Sequence, residues 1–231
     1  MSNSPGPFYT RRLVSDRITA VLLDFGGVLG LPQDPERVAS MASLCGITVE
    51  QFRAHYQHDR LELDRGTLRA EDYWARLAAL GGVTATPQLV ARLEHEDALG
   101  WTRINRPMVA WARELRSAGY RTAILSNMPP EKLAFMRAST DFAWIGDFDA
   151  AFFSCDYRMV KPEPAFYQVC LAGLGARPGE CVFLDDSPVN AEAARAQGIH
   201  AVVFRTAREA AAAFDPAWGL PLRSLLDGEP G

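Results

Sequence analysis

Four short strings in this chain carry side chains suited to chemistry on an anionic, oxygen-rich group. They are Asp24-Phe25-Gly26-Gly27-Val28, Ser126-Asn127, Lys161-Pro162-Glu163-Pro164 and Asp185-Asp186-Ser187-Pro188-Val189-Asn190. From them come the carboxylates of Asp24, Asp185 and Asp186, a hydroxyl beside an amide, and the lysine Lys161. Carboxylates brought together repel one another unless a cation or protons offset the charge. Oxygen ligands favour Mg²⁺, which keeps several waters and joins one or two carboxylates to a substrate phosphate. A lysine, a hydroxyl and backbone N–H groups suit the remaining phosphate oxygens. Each string alone also has a plain structural reading. An aspartate after an apolar run caps a turn or a helix. Ser126-Asn127 before Met128-Pro129-Pro130 suits a turn, and Lys161 suits a solvated surface. Lys161 precedes a proline, which biases it toward an extended backbone and so toward a fixed loop.

The case for chemistry rests on the elements that position these strings. Five apolar runs without polar alternation, at 18–24, 122–125, 151–153, 182–184 and 200–204, read as strands of a parallel sheet buried on both faces. Helical patterns separate several of them. Pro107 opens one helix and Gly119 closes it; Pro188 and Gly198 do the same for another; a third begins at Pro164 and ends near Gly173. Alternating strands and helices imply right-handed crossovers and a doubly wound α/β fold. In such a sheet ligands bind outside the carboxyl ends of the strands. The strings follow the ends of the first four runs, the lysine after a loop.

About 75 residues break the rhythm between the first run and the helix at Pro107. They hold helical patterns at 35–44, 49–59, 69–80 and 87–96, with capping-box spacing at Thr48 and Gln51 and a capping threonine, Thr86, before Pro87. An insert of this length is a small helical domain rather than a loop. The expected organisation is an N-terminal tail at 1–17, a core at 18–31 and 106–214, a helical insert at 32–105 with hinges near Gly30 and Asn105, and a loosely held C-terminal tail at 215–231. Tyr73, Trp74 and Leu77 read as the core of the insert. The stretch carrying His55, His58, Asp59, Arg60, Glu62 and Asp64 reads as a solvated helix end, or else turns one or two of these side chains to a ligand. His95 and His200 suggest no role.

With these elements in place, LLDFGGVL, ILSN, VKPEPAFY and VFLDDSPVN resemble, in order and context, the motifs of the haloacid dehalogenase superfamily of hydrolases. More narrowly they resemble its phosphatases with a helical cap inserted after the first strand. The stretch LELDRGTLRAEDYWARL also resembles such a cap, and the likeness spans about residues 20–204. The resemblance implies a Rossmann-like core and hydrolysis of a small-molecule phosphate monoester. It implies that Asp24 attacks phosphorus to form an aspartyl-phosphate that water then hydrolyses. Asp24, the carbonyl of Gly26 and Asp186 would ligate Mg²⁺, with Asp185 a ligand or the holder of its waters. Ser126 and Lys161 would bind the transferring phosphoryl group, Asn127 would help to place the phosphate or the substrate, and Asn190 would support its loop.

One departure stands out. Most phosphatases of the family carry a second aspartate two residues after the nucleophile, which protonates the leaving group. Here that residue is Gly26. Such catalysis supplies roughly a hundredfold to ten-thousandfold, so the chain reads as a slow enzyme, one for good leaving groups, or one with its acid elsewhere. Two rivals follow. A carbon–halogen hydrolase would use the same aspartate without Mg²⁺, but gains nothing from the Asp185-Asp186 pair. A non-catalytic protein would bind a phosphorylated ligand without turning it over.

Composition narrows the partners. The chain has 231 residues, a net charge of −4 and 48% hydrophobic residues, enough for a sizeable core. No basic run of nucleic-acid type occurs. No apolar run approaches a bilayer's thickness, and Met1 to Thr10 lack the apolar centre of a signal peptide. Cys45, Cys155, Cys170 and Cys181 fit no zinc spacing and read as free thiols in a reducing compartment. The expectation is a soluble cytoplasmic protein acting on a small phosphorylated metabolite, with no nucleic-acid or membrane partner.

Overall fold

The structure, a computed structural model, describes residues 17–227. The expectations for Met1 to Thr10 and for the last four residues lie outside that range. Strand β1 (Ala20–Leu23) is followed by a tight turn into the helical insert. The insert holds α1 (Pro35–Leu44), α2 (Val49–Tyr56), α3 (Arg60–Arg65), α4 (Ala70–Leu80) and α5 (Pro87–Leu99). The chain then alternates through α6 (Arg106–Ser117), β2 (Arg121–Ser126), α7 (Pro130–Ala138), β3 (Ala150–Phe153), α8 (Ser154–Tyr157), α9 (Pro164–Leu174), β4 (Cys181–Asp185), α10 (Pro188–Ala196) and β5 (His200–Val203). Helices α11 (Ala207–Ala213) and α12 (Arg223–Asp227) complete it.

The five strands form one parallel sheet in the order β3-β2-β1-β4-β5. Both faces are covered, which is why the strand sequences are apolar without alternation. Val21, Leu23, Ile124, Val182 and Leu184 face one cluster with α6, α7, α11 and α12. Ala20, Leu22, Ala123, Leu125 and Phe183 face the other with α9 and α10. After β3 the chain returns to the far side of β1 and continues through β4 and β5. β1 therefore lies at the point where strand order reverses, and the crevice outside its carboxyl end is the fold's natural ligand site.

The insert has its own core, built from Met41, Phe52, Tyr56, Leu63, Tyr73, Trp74, Leu77 and Leu93 among others. Its helices start where the sequence caps them. Asp34 accepts from the Glu36 N–H at 2.9 Å, Thr48 and Gln51 form a reciprocal capping box, and Thr86 accepts from the Leu89 N–H at 3.2 Å. Two connecting segments join insert and core as a short ribbon. Gly30 bridges Ile104, the Leu31 N–H donates to Arg103 O at 2.8 Å, and the Asn105 N–H donates to Leu29 O at 2.8 Å.

Two expectations need correction. The pattern at 49–59 is not one helix: α2 stops at Tyr56, Asp59 adopts a left-handed backbone (φ 58°), and α3 starts anew at Arg60. Aspartate tolerates that conformation better than most residues. Residues 215–227 are also not loosely held. The Trp111 indole N–H donates to Pro221 O at 2.7 Å, the Ser224 N–H donates to Glu114 at 2.8 Å, and Leu225 is fully buried against α6. All four cysteines are free thiols, and no described helix is long and apolar enough to cross a membrane.

Candidate functional site

The turn after β1 sets the floor of the site. Asp24 follows the last residue of the strand, its N–H donating to Leu184 O at 2.9 Å and its Oδ1 accepting from the Phe25 N–H at 2.6 Å. Gly27 holds φ 72°, and a Cβ there would collide with the Asp186 carboxylate, so only glycine lets the β1 turn approach the end of β4. This approach puts oxygens of Asp24, Asp185 and Asp186 within 4.8 Å of one another. Asp24 and Asp185 are buried, and Asp186 is exposed to the cavity above.

Lys161 neutralises the buried part of this group. Its Nζ lies 2.8 Å from Asp24 Oδ1 and 2.7 Å from Asp185 Oδ2, and its side chain is 1% exposed. Its loop is held by Asn127, whose amide donates to Lys161 O at 2.9 Å and accepts from the Lys161 N–H at 2.8 Å. Asp185 is fixed further by the Ser187 N–H at 2.8 Å and by Asn190 Nδ2 at 3.1 Å. Burial opposes the Lys161 charge, but the two carboxylates overcome it and hold its proton well above the ordinary lysine range. Burial pushes the Asp24 carboxyl up to about 7, against the pull of Lys161 and with help from Asp185. A bound cation would reverse that.

The strand-end candidates meet at this crevice; of the candidates in the insert only Arg60 and Asp64 reach it, whereas His55, His58 and Asp59 line a separate cavity. Asp24, Gly26, Ser126, Asn127, Lys161, Asp186 and Asn190 line a cavity of about 500 Å³, with Asp185 directly beneath. The oxygen donors fit Mg²⁺: three carboxylates come together, with no soft ligand among them.

The roof comes from the insert. Tyr56, Gln57, Arg60, Leu61, Asp64 and Trp101 line the same cavity. Arg60 and Asp64, read as part of a solvated helix end, are buried instead. Arg60 Nε pairs with Asp64 Oδ1 at 2.9 Å, and its guanidinium reaches Asp97 Oδ2 at 3.3 Å. Asp97 also accepts from the Tyr56 hydroxyl and from Gln33 Nε2 at 3.0 Å, and pairs with Lys132 Nζ at 3.1 Å. Lys132 belongs to α7 in the core, so this buried network ties insert to core. Ser154 adds a second tie: its hydroxyl accepts from the Met128 N–H at 2.8 Å and donates to Asp64 O at 2.5 Å. The i, i+4 spacing of Arg60 and Asp64 was a local signal of the network. Trp101, Asp97, Lys132 and Ser154 had none, because their partners are distant in sequence.

Trp101 occupies a telling place. A Cβ on Gly26 would sit 3.1 Å from its Cζ3 and 3.5 Å from its Cη2. The indole thus covers the space into which a side chain at residue 26 would project. Lys132 Nζ lies 5.0 Å from the centroid of the Trp101 ring.

Comparison with known proteins agrees with this picture. Bifunctional epoxide hydrolase 2 of Rattus norvegicus is 34% identical over 111 residues, which are 47% of this chain and 20% of that protein. The chain thus spans about a fifth of that relative's length. Two solved structures share the fold. One is a HAD family enzyme of Bacteroides thetaiotaomicron in complex with magnesium and inorganic phosphate (TM-score 0.64, 21% identity, 81% of this chain and 94% of that one). The other is the L-2-haloacid dehalogenase of Xanthobacter autotrophicus with chloropropionic acid covalently bound (TM-score 0.59, 21% identity, 91% and 87%). The family model of haloacid dehalogenase-like hydrolases matches residues 18–198, and the chain belongs to that family.

Proposed function

We propose that this hydrolase cleaves small-molecule phosphate monoesters, with Asp24 as covalent nucleophile and Mg²⁺ as cofactor. The observation that carries the reading is the Lys161 bridge between Asp24 and Asp185, beside the exposed carboxylate of Asp186 on the floor of a cavity that residues of the insert also line. Asp24, Asp186 and the Gly26 carbonyl would hold the ion, and Asp185 would fix Lys161 and the ion's waters. When bound, Mg²⁺ offsets charge on the phosphate oxygens and on the clustered carboxylates. The protein's own residues do the rest. Asp24 attacks phosphorus, the ester oxygen leaves, and water releases phosphate from the aspartyl-phosphate. Lys161 and Ser126 bind the phosphoryl oxygens. Asn127 acts mainly by clamping the Lys161 loop, a sharper role than direct contact with the phosphate. The insert acts as a cap that opens for substrate and excludes water when shut. Four unpaired thiols fit a reducing compartment, the cytoplasm.

The magnesium and phosphate in a fold relative support this reading, and the dehalogenase relative keeps the carbon–halogen rival in play. A panel of phosphate esters and 2-haloacids, assayed with Mg²⁺ and with EDTA, separates them. Phosphate release that EDTA abolishes and Mg²⁺ restores is expected, with Asp24→Asn inactive but folded. Halide release without metal, or full activity of Asp24→Asn, overturns the reading.

A further inference from the structure

Cleavage of a phosphate ester places charge on the departing oxygen, and a poor leaving group needs a proton there. Attack is in line, so that oxygen points away from Asp24 and into the cavity under the cap. Position 26 offers no side chain, and Trp101 fills the space above it. The proton must come from another group lining the cavity. Apart from the carboxylates and Lys161 at the floor, the ionisable residues there are Tyr56, Arg60, Asp64 and Lys132.

We propose that Lys132, beside the Trp101 ring that covers Gly26, is the general acid of this site; the assignment rests on the phosphatase reading above. The other three fail on chemistry. Arg60 is held by Asp64 and Asp97 and does not release a proton. The Tyr56 hydroxyl is already given to Asp97, and burial pushes its ionisation well above the usual tyrosine value. Burial raises the Asp64 carboxyl against the pull of Arg60, but its Oδ1 accepts from Arg60 Nε at 2.9 Å, so a proton resting there would break a buried ion pair. Lys132 is different. It is buried on the core helix α7, its Nζ lies 5.0 Å from the centroid of the ring that covers Gly26, and it lines the same cavity as Asp24. Asp97 on α5 takes one of its three N–H groups. The charged groups facing it are Asp97 on α5, with Arg60 and Asp64 on α3. Burial and then the Arg60 charge bring its ammonium down to about 8, against the pull of the two aspartates. That suits proton transfer near neutral pH.

The steps balance. As the Asp24–phosphorus bond forms and the ester bond breaks, its electron pair stays on the leaving oxygen, which takes a proton from Lys132. In the second step water bonds to phosphorus, the Asp24–phosphorus bond breaks, and the neutral amine takes the water's proton.

The test is a series of monophosphates graded by leaving-group basicity, from p-nitrophenyl phosphate to simple alkyl phosphates, assayed with Mg²⁺. The wild type should show a shallow dependence at pH 7 that steepens above about pH 8 as Lys132 loses its proton. In Lys132→Met, and equally in Lys132→Arg, the alkyl-to-aryl turnover ratio should fall by about a hundredfold or more. Arginine keeps the charge and the Asp97 pair, so a merely structural role predicts rescue by arginine. Rescue, an equal loss across the series, or a wild-type slope indifferent to pH above 8 overturns the assignment. If the variants do not fold, the wild-type slope against pH decides alone. A wild type inactive on every ester, p-nitrophenyl phosphate included, defeats the phosphatase reading itself.

Discussion

Lys161 and Lys132 are both buried and both line the same cavity, yet their surroundings drive them in opposite directions. Lys161 sits between two carboxylates at 2.8 and 2.7 Å, and its proton is held tightly. Lys132 has one direct partner, Asp97, which it shares with Arg60, and a guanidinium in the same network. Its proton is loosened to about 8. Burial disfavours a charge in both cases, so the count and sign of the neighbours decide the outcome. On the phosphatase reading proposed above, the floor keeps a positive charge against phosphate oxygens, and the roof holds one positive charge that is expendable.

Lys161→Met breaks the floor and should have the largest effect. It leaves Asp24 and Asp185 facing each other without a cation. Removing one partner of a buried pair costs about 3–5 kcal/mol, and a lost phosphate donor costs roughly a hundredfold to a thousandfold in turnover. Urea unfolding with and without Mg²⁺ should show the loss chiefly in the metal-free protein. Unchanged stability in EDTA would mean that protons already neutralise the pair.

The two lysines also predict opposite slopes of stability against pH. For Lys132 the folded value is about 8 and the unfolded value 10.5. Between these the unfolded chain binds more protons, so stability rises with pH, by about 3 kcal/mol across the window. For Lys161 the folded value is raised. Its contribution is complete below 10.5 and declines as pH climbs above that. The thiols of Cys45, Cys155, Cys170 and Cys181, all raised by burial, work the other way above pH 9, so the Lys132 contribution is read as a difference. The urea midpoint of the wild type should gain on that of Lys132→Met between pH 8 and 10.5, and a constant difference assigns the loosened proton to another group.

The floor was legible in the sequence and much of the roof was not, for a physical reason. A strand buried on both faces reads as an apolar run, and the residue after it lies at the crevice by topology. Asp24, Ser126 and Asp185 were therefore placed by their neighbours in the chain. The Arg60–Asp97–Lys132 network joins residues about 35 positions apart on three helices. A left-handed Asp59 splits the helix whose continuity the pattern suggested. Nothing near Trp101 announces that its ring fills the space over Gly26, and nothing near Leu225 announces its burial on α6.

Gly26 sharpens the comparison from the floor's side. Its φ of −67° is open to any residue, so the obstacle to an aspartate there is Trp101 and not the backbone. Gly26→Asp alone should cost about 1–3 kcal/mol from overpacking and gain little activity on alkyl phosphates. Gly26→Asp combined with Trp101→Ala should fold better than the sum of its parts and raise alkyl turnover when Lys132 is also methionine. A double-mutant cycle on thermal stability measures the first claim. Additive losses would show that the indole does not exclude the carboxylate.

The smallest effect belongs to the rim, where the cap meets the core in water. Arg65 on α3 pairs with Glu163 at 2.6 Å, just before α9 and two residues from Lys161. Both side chains are partly exposed, at 21% and 36%. Such pairs are worth about 0–1 kcal/mol and weaken with salt. Arg65→Ala should therefore change unfolding stability by less than about 1 kcal/mol, and by less still at 1 M salt. If the insert is the cap proposed above, its effect on turnover should be larger than its effect on stability, since the pair joins the insert to the loop that carries Lys161. KM measured at low and high salt reads this directly. If the pair is a latch, wild-type KM drifts toward that of Arg65→Ala as salt rises. If KM is identical in both proteins at every salt concentration, the buried Asp97–Lys132 and Ser154–Asp64 contacts alone hold the cap, and the rim pair is incidental.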